Sequence, residues 1–297
     1  MIINQANLRN LYVGYRTAFQ GGLGQAESQY PRIATTVPSS TREEEYGWLG
    51  KIPSMREWIG DRVVQNITSS SYKIKNKPFE LTVGVDRDDI EDDNLGIYTP
   101  LFTEMGMSTA AHPEQLVWGL LKAGFTTPCY DGQNYFDTDH PVLDAGGREI
   151  SVANTDGGAG APWFLLDDRR ALKPILFQQR KPPQFVAKDK VDDDNVFERR
   201  TYVYGVDARY NVGYGFWQFC WGSRQALSAA NYASARAALL GMKGDYGRSL
   251  GIVPRLLVVG PTLESAGRKL LNSEYGLAGE TNEWKGTAEL LVVPWLA

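Results

Sequence analysis

Between Ser71 and Gly124 the period of the apolar positions changes from that of a strand to that of a helix. Tyr72 and Ile74 alternate with Lys73 and Lys75, and Phe79, Leu81, Val83 and Val85 alternate with Glu80, Thr82 and Gly84. Asn76-Lys77-Pro78 lies between the two runs, so the pattern predicts two strands, each with one apolar face, joined as a hairpin with a basic tip. From Leu95 the spacing turns helical: Leu95, Tyr98, Phe102 and Met105, then, beyond His112-Pro113, Leu116, Val117, Leu120 and Leu121 up to Gly124. This predicts a long helix over 88–124, kinked near Pro113 or divided there with Pro113 at a first helical position. Asp88 and Glu91 have capping-box form, and the acids from Asp86 to Asp93 sit where the positive end of the helix dipole would be. The same acids lack the mid-loop glycine and final glutamate of a calcium loop, which favours a cap over a cation site. A two-stranded hairpin is marginal by itself, so its apolar side needs cover from its own chain or from another molecule.

Elsewhere the pattern is equally readable. Leu8, Leu11, Tyr12, Tyr15 and Phe19 form one apolar stripe over 4–20, and Gly21, Gly22 and Gly24 are expected to end the helix in a flexible tether. Such a helix either folds back on its own domain or docks on a neighbouring subunit. Thr41 with Glu44 and Ser54 with Glu57 predict short helices carrying Trp48 and Trp58, and 62–67 reads as a strand. Residues 125–141 are rich in turns and 145–163 predict an irregular loop with five glycines. Long strands follow over 173–186 and 196–221, separated by the acidic tip Asp192-Asp193-Asp194-Asn195. The last third predicts a helix over 228–240, then strand, helix and strand over 255–259, 262–271 and 288–293, the pattern of a βαβ unit. The class is α+β.

Composition narrows the function. The 297 residues are 42% hydrophobic and 22% charged, enough for a large core. No apolar run reaches membrane-span length, and Met1-Ile2-Ile3-Asn4 lacks the basic and apolar regions of a signal peptide, so production in a cytosol is expected. Cys129 and Cys220 have no CxxC spacing and read as two reduced, buried thiols. A formal net charge of −4 argues against a dedicated nucleic-acid binder. It suits a wall that surrounds nucleic acid without gripping it. The aromatic run of Tyr202, Tyr204, Tyr210, Tyr214, Phe216, Trp217, Phe219 and Trp221 carries no basic residue between Tyr210 and Trp221, which favours packing over base stacking. Candidate chemistry is sparse. Asp137-Thr138-Asp139-His140 is the one metal-like or acid–base cluster, and a polar turn ended by Pro141 explains it better, since no second histidine completes a site. Residues 241–251 are glycine-rich without the lysine of a phosphate loop, and no nucleophile elbow is present. Neither a cofactor nor a metal is expected.

Several passages together resemble the major head protein of Mu-like phages and prophages, which has the capsid fold first described in phage Hong Kong 97. They are Glu45-Tyr46-Gly47-Trp48-Leu49-Gly50-Lys51, Arg56-Glu57-Trp58-Ile59-Gly60, Tyr72-Lys73-Ile74-Lys75-Asn76-Lys77 and the run from Asp86-Arg87 to Tyr98. Gly119-Leu120-Leu121-Lys122-Ala123-Gly124-Phe125, Phe136-Asp137-Thr138-Asp139-His140-Pro141, Tyr214-Gly215-Phe216-Trp217 and Pro294-Trp295-Leu296 add to them. The resemblance spans nearly the whole chain. It implies an N-terminal arm (1–30), short helices of a peripheral domain (31–61), an extended hairpin loop lying over an adjacent subunit (62–85), a peripheral domain (86–227) with spine helix 88–124 and long strands 173–221, and an α/β axial domain (228–297). In the general fold the long peripheral strands follow the axial domain, whereas here the candidates precede it.

The expected protein is a structural subunit whose copies form pentamers and hexamers of an icosahedral shell around double-stranded phage DNA. It would act with scaffold and portal proteins, assemble in the host bacterial cytoplasm and reside in the virion capsid. Leu8, Tyr12, Tyr15, Phe19, Tyr72, Lys73, Lys75, Lys77 and Phe79 are the expected inter-subunit contacts, with Asp192 to Asp194 of another copy as one acidic partner for the lysines. Two alternatives are a nanocompartment shell of the same fold and, in a different class, a metal-dependent enzyme using Asp137, Asp139 and His140.

Overall fold

A computed structural model describes residues 2–49, 72–92, 95–276 and 279–297. The expected helix at Ser54 to Trp58 and the strand at 62–67 lie outside the described residues.

Asn4 caps helix α1 (Gln5–Gln25), its side chain accepting the Asn7 N–H at 2.9 Å. The helix does not stop at Gly21 as its composition suggests but continues through Gly21, Gly22 and Gly24. The reason is tertiary. Gly22 lies against the backbone of helix α3 (Tyr98–Ala123) at Thr103, and Gly106 of α3 lies against α1 at Phe19 and Leu23. Two glycines without Cβ atoms let the helix backbones touch, and the contact offsets what glycine costs in a helix. The acidic run is likewise divided differently: Asp86, not Asp88, caps a short helix α2 (Arg87–Glu91) by accepting the Asp88 N–H, while Glu91 pairs with Arg87 at 2.8 Å. Pro113 lies inside the continuous α3 rather than at a helix start.

The largest correction concerns the hairpin. Strands β3 (Lys73–Lys75) and β4 (Lys77–Asp86) do not pair with each other. β3 pairs antiparallel with β2 (Glu43–Glu45), and β4 pairs antiparallel with β10 (Thr201–Tyr214) from Tyr210↔Lys77 to Thr201↔Asp86. Asn76 at the changeover is buried, donating to the Ser39 hydroxyl at 2.8 Å and the Thr41 carbonyl at 2.9 Å and accepting from Gln178 Nε2 at 2.9 Å. A turn residue with its side chain locked inside the protein carries the chain straight on instead of reversing it. The Thr41–Glu44 pattern also forms, with Glu44 accepting the Thr41 N–H at 3.0 Å, but it closes a tight turn into β2 and starts no helix.

β4 is the edge of a four-stranded sheet ordered β1-β9-β10-β4, where β1 (Ala34–Pro38) runs parallel to β9 (Ile175–Lys188) and β9 is antiparallel to β10. The expected second strand over 196–221 is four elements: helix α4 (Asp194–Arg199), β10, a 3-10 turn (Trp217–Phe219) and β11 (Cys220–Arg224). Alternate residues Tyr202, Tyr204, Val206, Ala208 and Tyr210 of β10 are buried. Tyr204 meets α1 and α3 edge-on, with ring centroids 5.2 Å from Tyr15 and 5.5 Å from Phe102. The aromatic run is thus core.

A second, five-stranded sheet is ordered β15-β14-β8-β11-β7. The parallel pair β14 (Leu256–Val259) and β15 (Glu289–Val292), connected through α6 (Glu264–Asn272), is the βαβ unit read from the sequence. Helix α5 (Ala229–Leu240) precedes it and is capped by Ser228. The sheet is completed by β7 (Thr155–Gly158), β8 (Trp163–Leu166) and β11, all from before residue 228, so the α/β unit crosses the expected 227/228 boundary. The stretch 145–163 is correspondingly not all loop, since it holds β7 and also β6 (Glu149–Val152), which pairs with β5 (His140–Leu143). The glycine-rich 241–251 carries the small pair β12 (Lys243–Gly244) and β13 (Arg248–Ser249).

Candidate assembly surfaces

Of the nine sequence-predicted contact residues, the four on α1 turn inward. Leu8, Tyr15 and Phe19 are buried in one cluster with Val85, Ile90, Phe102, Met105, Tyr202 and Tyr204 of the same chain. Tyr15 stacks on Phe102 at 4.2 Å, and burial, with the negative field of Tyr98 and Asp89, pushes its hydroxyl pKa up to about 12. Tyr12 is half-buried with its ring 5.6 Å from Phe185. Of the two fates open to this helix, packing on its own domain is the one described.

The residues of the strand pair behave differently. Tyr72 reaches inward, its hydroxyl accepting the Tyr214 N–H at 2.7 Å, and burial pushes its pKa up to about 12. Phe79 is half-buried between His112 at 4.4 Å and Tyr210 at 4.9 Å. Lys73, Lys75 and Lys77 are exposed; Lys73 lies 3.8 Å from Glu45, a surface pair of small energetic weight. The three lysines therefore form one outward row while Ile74 and Asn76 between them point into the protein, the alternation a strand imposes. The acidic tip sits at the far end of the β9–β10 pair, where the Asp193 carboxylate accepts the Lys190 N–H at 2.9 Å just before α4 and Asp194 lies 3.8 Å from Lys188. Beside it Val186, Val191 and, at 87% exposure, Phe197 leave apolar area uncovered.

A residue that the sequence reading missed holds the segment after α1 in place. Glu114, inside α3 and 5% exposed, accepts the backbone N–H groups of Gln29 and Tyr30 and the indole N–H of Trp118. Arg32 then lies 2.5 Å from Asp168 and 2.6 Å from Glu289, tying this segment to the two loops and strands it crosses. Nothing in the one-dimensional spacing marks Glu114 apart from being a charge on the apolar side of a helix.

The candidate chemistry dissolves on inspection. Asp137 accepts the N–H groups of Asn134 and Thr138, Asp139 accepts the Ser151 hydroxyl, and His140 turns away from both, fully buried and stacked on Trp217 at 3.9 Å. The enzyme alternative built on Asp137, Asp139 and His140 therefore has no assembled site. Burial pushes both cysteine thiols up in pKa, and both are free and buried, as their spacing suggests. Among the described residues no helix is long and apolar enough to cross a membrane.

A family model described as the Mu-like prophage major head subunit gpT matches residues 8–296. The chain is 45% identical over 305 residues to the major capsid protein of Escherichia phage Mu, covering all of both chains. It is 45% identical over 275 residues to the Mu-like prophage FluMu major head subunit of Haemophilus influenzae, covering 90% of this chain and 89% of that one. Among solved structures it is similar to a chain of the procapsid of bacteriophage JBD30, with a TM-score of 0.89 and 44% identity over 99% of this chain and all of that one. A chain of the bacteriophage JBD30 capsid matches with a TM-score of 0.79 and 34% identity over the full length of both. Agreement of this extent defines a phage capsid protein, a structural class and not an enzyme. The chain belongs to the family of Mu-like prophage major head subunits. Its place is the virion capsid, and the nanocompartment reading is set aside.

Proposed function

We propose that copies of this chain close into an icosahedral shell, as pentamers and hexamers, around packaged double-stranded DNA. The observation that carries the reading is the end-to-end likeness, at 44% identity, to a chain of the JBD30 procapsid. The net charge of −4 fits a wall that encloses DNA without sequence-specific grip. Scaffold and portal proteins are the expected partners, and assembly takes place in the host bacterial cytoplasm.

The geometry supports finer roles within the shell. The sheet of β1, β9, β10 and β4 with α1 and α3 forms the peripheral part, and the five-stranded sheet with α5 and α6 forms the axial part near the centre of each capsomer. The row of Lys73, Lys75 and Lys77 meets the acidic tip at Asp192 to Asp194 of a second copy. Tyr72 and Phe79 support that row from beneath, and Leu8, Tyr12, Tyr15 and Phe19 act in assembly by fixing the position of α1. Phe197, Val186 and Val191 supply apolar area that a neighbour covers, since large side chains this exposed gain most from burial between subunits.

Electron microscopy of the purified chain under assembly conditions tests the shell directly. Closed, uniform particles are the expected outcome; discrete small oligomers under all conditions, with folded protein, contradict it.

A further inference from the structure

We infer that Cys129, Asp131 and His140 form a binding site for a zinc ion, which pins the turn after α3 to β5. In the sequence His140 stands beside Asp137 and Asp139; the fold instead turns its ring toward Cys129 and Asp131. The ligand atoms of Cys129, Asp131 and His140 all lie within 4.8 Å of one another. Tetrahedral zinc holds neighbouring ligand atoms about 3.5 Å apart, which follows from Zn–S and Zn–N bonds of about 2.3 and 2.0 Å, so side-chain adjustment alone closes the set.

The backbone is built to present these ligands. Cys129 donates its N–H to the Gln133 carbonyl at 2.8 Å, and Gly132 closes the turn at φ +88°, a left-handed conformation that suits glycine. This places the Cys129 and Asp131 side chains together on one knuckle. His140 enters from β5 with its orientation determined on three sides. Its ring stacks on Trp217 with planes 10° apart, its Nδ1 faces Asp131 Oδ2 at 2.7 Å, and its Nε2 faces Asn154 Oδ1 at 3.2 Å. Asn154 cannot turn over, because Oδ1 accepts the Asp137 N–H at 2.9 Å while Nδ2 donates to the Tyr135 carbonyl at 2.8 Å. A ligating histidine whose other ring nitrogen donates to a fixed oxygen is the usual support of a metal site.

The ligand set balances the charge of a divalent cation. Asp131 accepts the Cys129 S–H at 3.0 Å on Oδ1, and its Oδ2 lies 2.7 Å from His140 Nδ1. As thiolate, carboxylate and neutral imidazole the three ligands carry a charge of −2, which Zn²⁺ would cancel, and the protons they shed on binding leave to solvent. Thiolate and imidazole donors select zinc over magnesium or calcium. The fourth position is left for a water, entering past Asp131, whose side chain is 10% exposed.

The test uses the full chain, both as free subunit and as assembled particles. Purified without chelator from zinc-supplemented cells, it is expected to carry one zinc per chain by elemental mass spectrometry. Exchange into cobalt should produce a thiolate-to-cobalt charge-transfer band that disappears in Cys129→Ala, with unchanged far-ultraviolet circular dichroism confirming that the variant folds. If that variant fails to fold, X-ray absorption of the zinc-loaded wild type decides, and one sulfur in the first shell is the expected result. Zinc well below one per chain, a cobalt spectrum without the charge-transfer band, or a shell of nitrogen and oxygen alone each overturns the assignment and leaves a purely hydrogen-bonded triad.

Discussion

Gly22 and Gly106 interlock the two longest helices: each lies where a Cβ would penetrate the other helix, 1.9 Å from the Thr103 carbonyl oxygen in one case and 2.1 Å from the Phe19 carbonyl oxygen in the other. Because the obstructing atoms are backbone, neither helix can yield locally. Gly106→Ala is expected to destabilise the subunit by about 1–3 kcal/mol or more, the range for overpacking. Gly119→Ala, on the same helix with nothing within 4 Å of its Cβ, is expected to stabilise by about 0.5–1 kcal/mol. Urea unfolding of the two variants checks the opposite signs; equal effects contradict the interlock.

The same packing sets what truncation should do. Removing 5–20 would uncover Phe102, Met105 and Tyr204, so the shortened chain is expected to unfold or aggregate rather than remain a folded but assembly-incompetent subunit. Phe19→Ala is the gentler probe, with an expected loss of about 3–5 kcal/mol for a large core side chain. Calorimetry of the unassembled subunit measures it, and a loss seen only in particles would mean that α1 packs on a neighbour.

Glu114 gathers three N–H donors from Gln29, Tyr30 and Trp118. Glu114→Ala leaves those donors without their acceptor, at about 1–3 kcal/mol for each that stays buried. The expected readout is a lowered midpoint in denaturant together with faster hydrogen exchange at Gln29 and Tyr30. Unchanged exchange there would show that the carboxylate does not hold the segment.

Acid should act through Glu44. The Thr41 N–H, with the Ser39 hydroxyl and Ser40 N–H, holds its pKa down to about 2 from the ordinary 4.5. A group with a depressed native pKa contributes stability above its unfolded value and loses that contribution as pH falls through the native value. Stability is therefore expected to decline between about pH 4.5 and pH 2, and Glu44→Gln to flatten part of that slope. Denaturant titrations across this window provide the comparison, and identical slopes would count against it.

Reversing the outward row is the test of the proposed inter-subunit contact. Lys75→Glu with Lys77→Glu should leave subunit stability within about 0.5 kcal/mol, as for surface changes, and suppress particle formation in a salt-dependent way. Restored assembly on adding Asp192→Lys and Asp194→Lys would identify the acidic tip as the partner, and normal assembly of the double variant would remove the row from the interface.

What the sequence determined by itself was local. The 3.6-residue stripes of α1 and α3, the alternation of β4, β9 and β10, and the βαβ unit of β14, α6 and β15 each follow from the spacing of apolar residues, and the family follows from motifs spread along the chain. Tertiary structure decided which elements meet. Gly21, Gly22 and Gly24 read as a helix stop until α3 packs its backbone against Gly22 and the helix runs on through all three. Asn76 reads as a turn until Gln178 and Ser39 draw its side chain inside, converting an apparent hairpin into one strand path with two different partners. His140 reads as the neighbour of Asp137 and Asp139, yet its ring belongs to Cys129, Asp131 and Asn154. The physical reason is common to all three. Side-chain period is a property of a few consecutive residues, whereas a close backbone contact, a buried amide or a ligand set is created by segments tens of residues apart, and one-dimensional spacing holds no record of their distance.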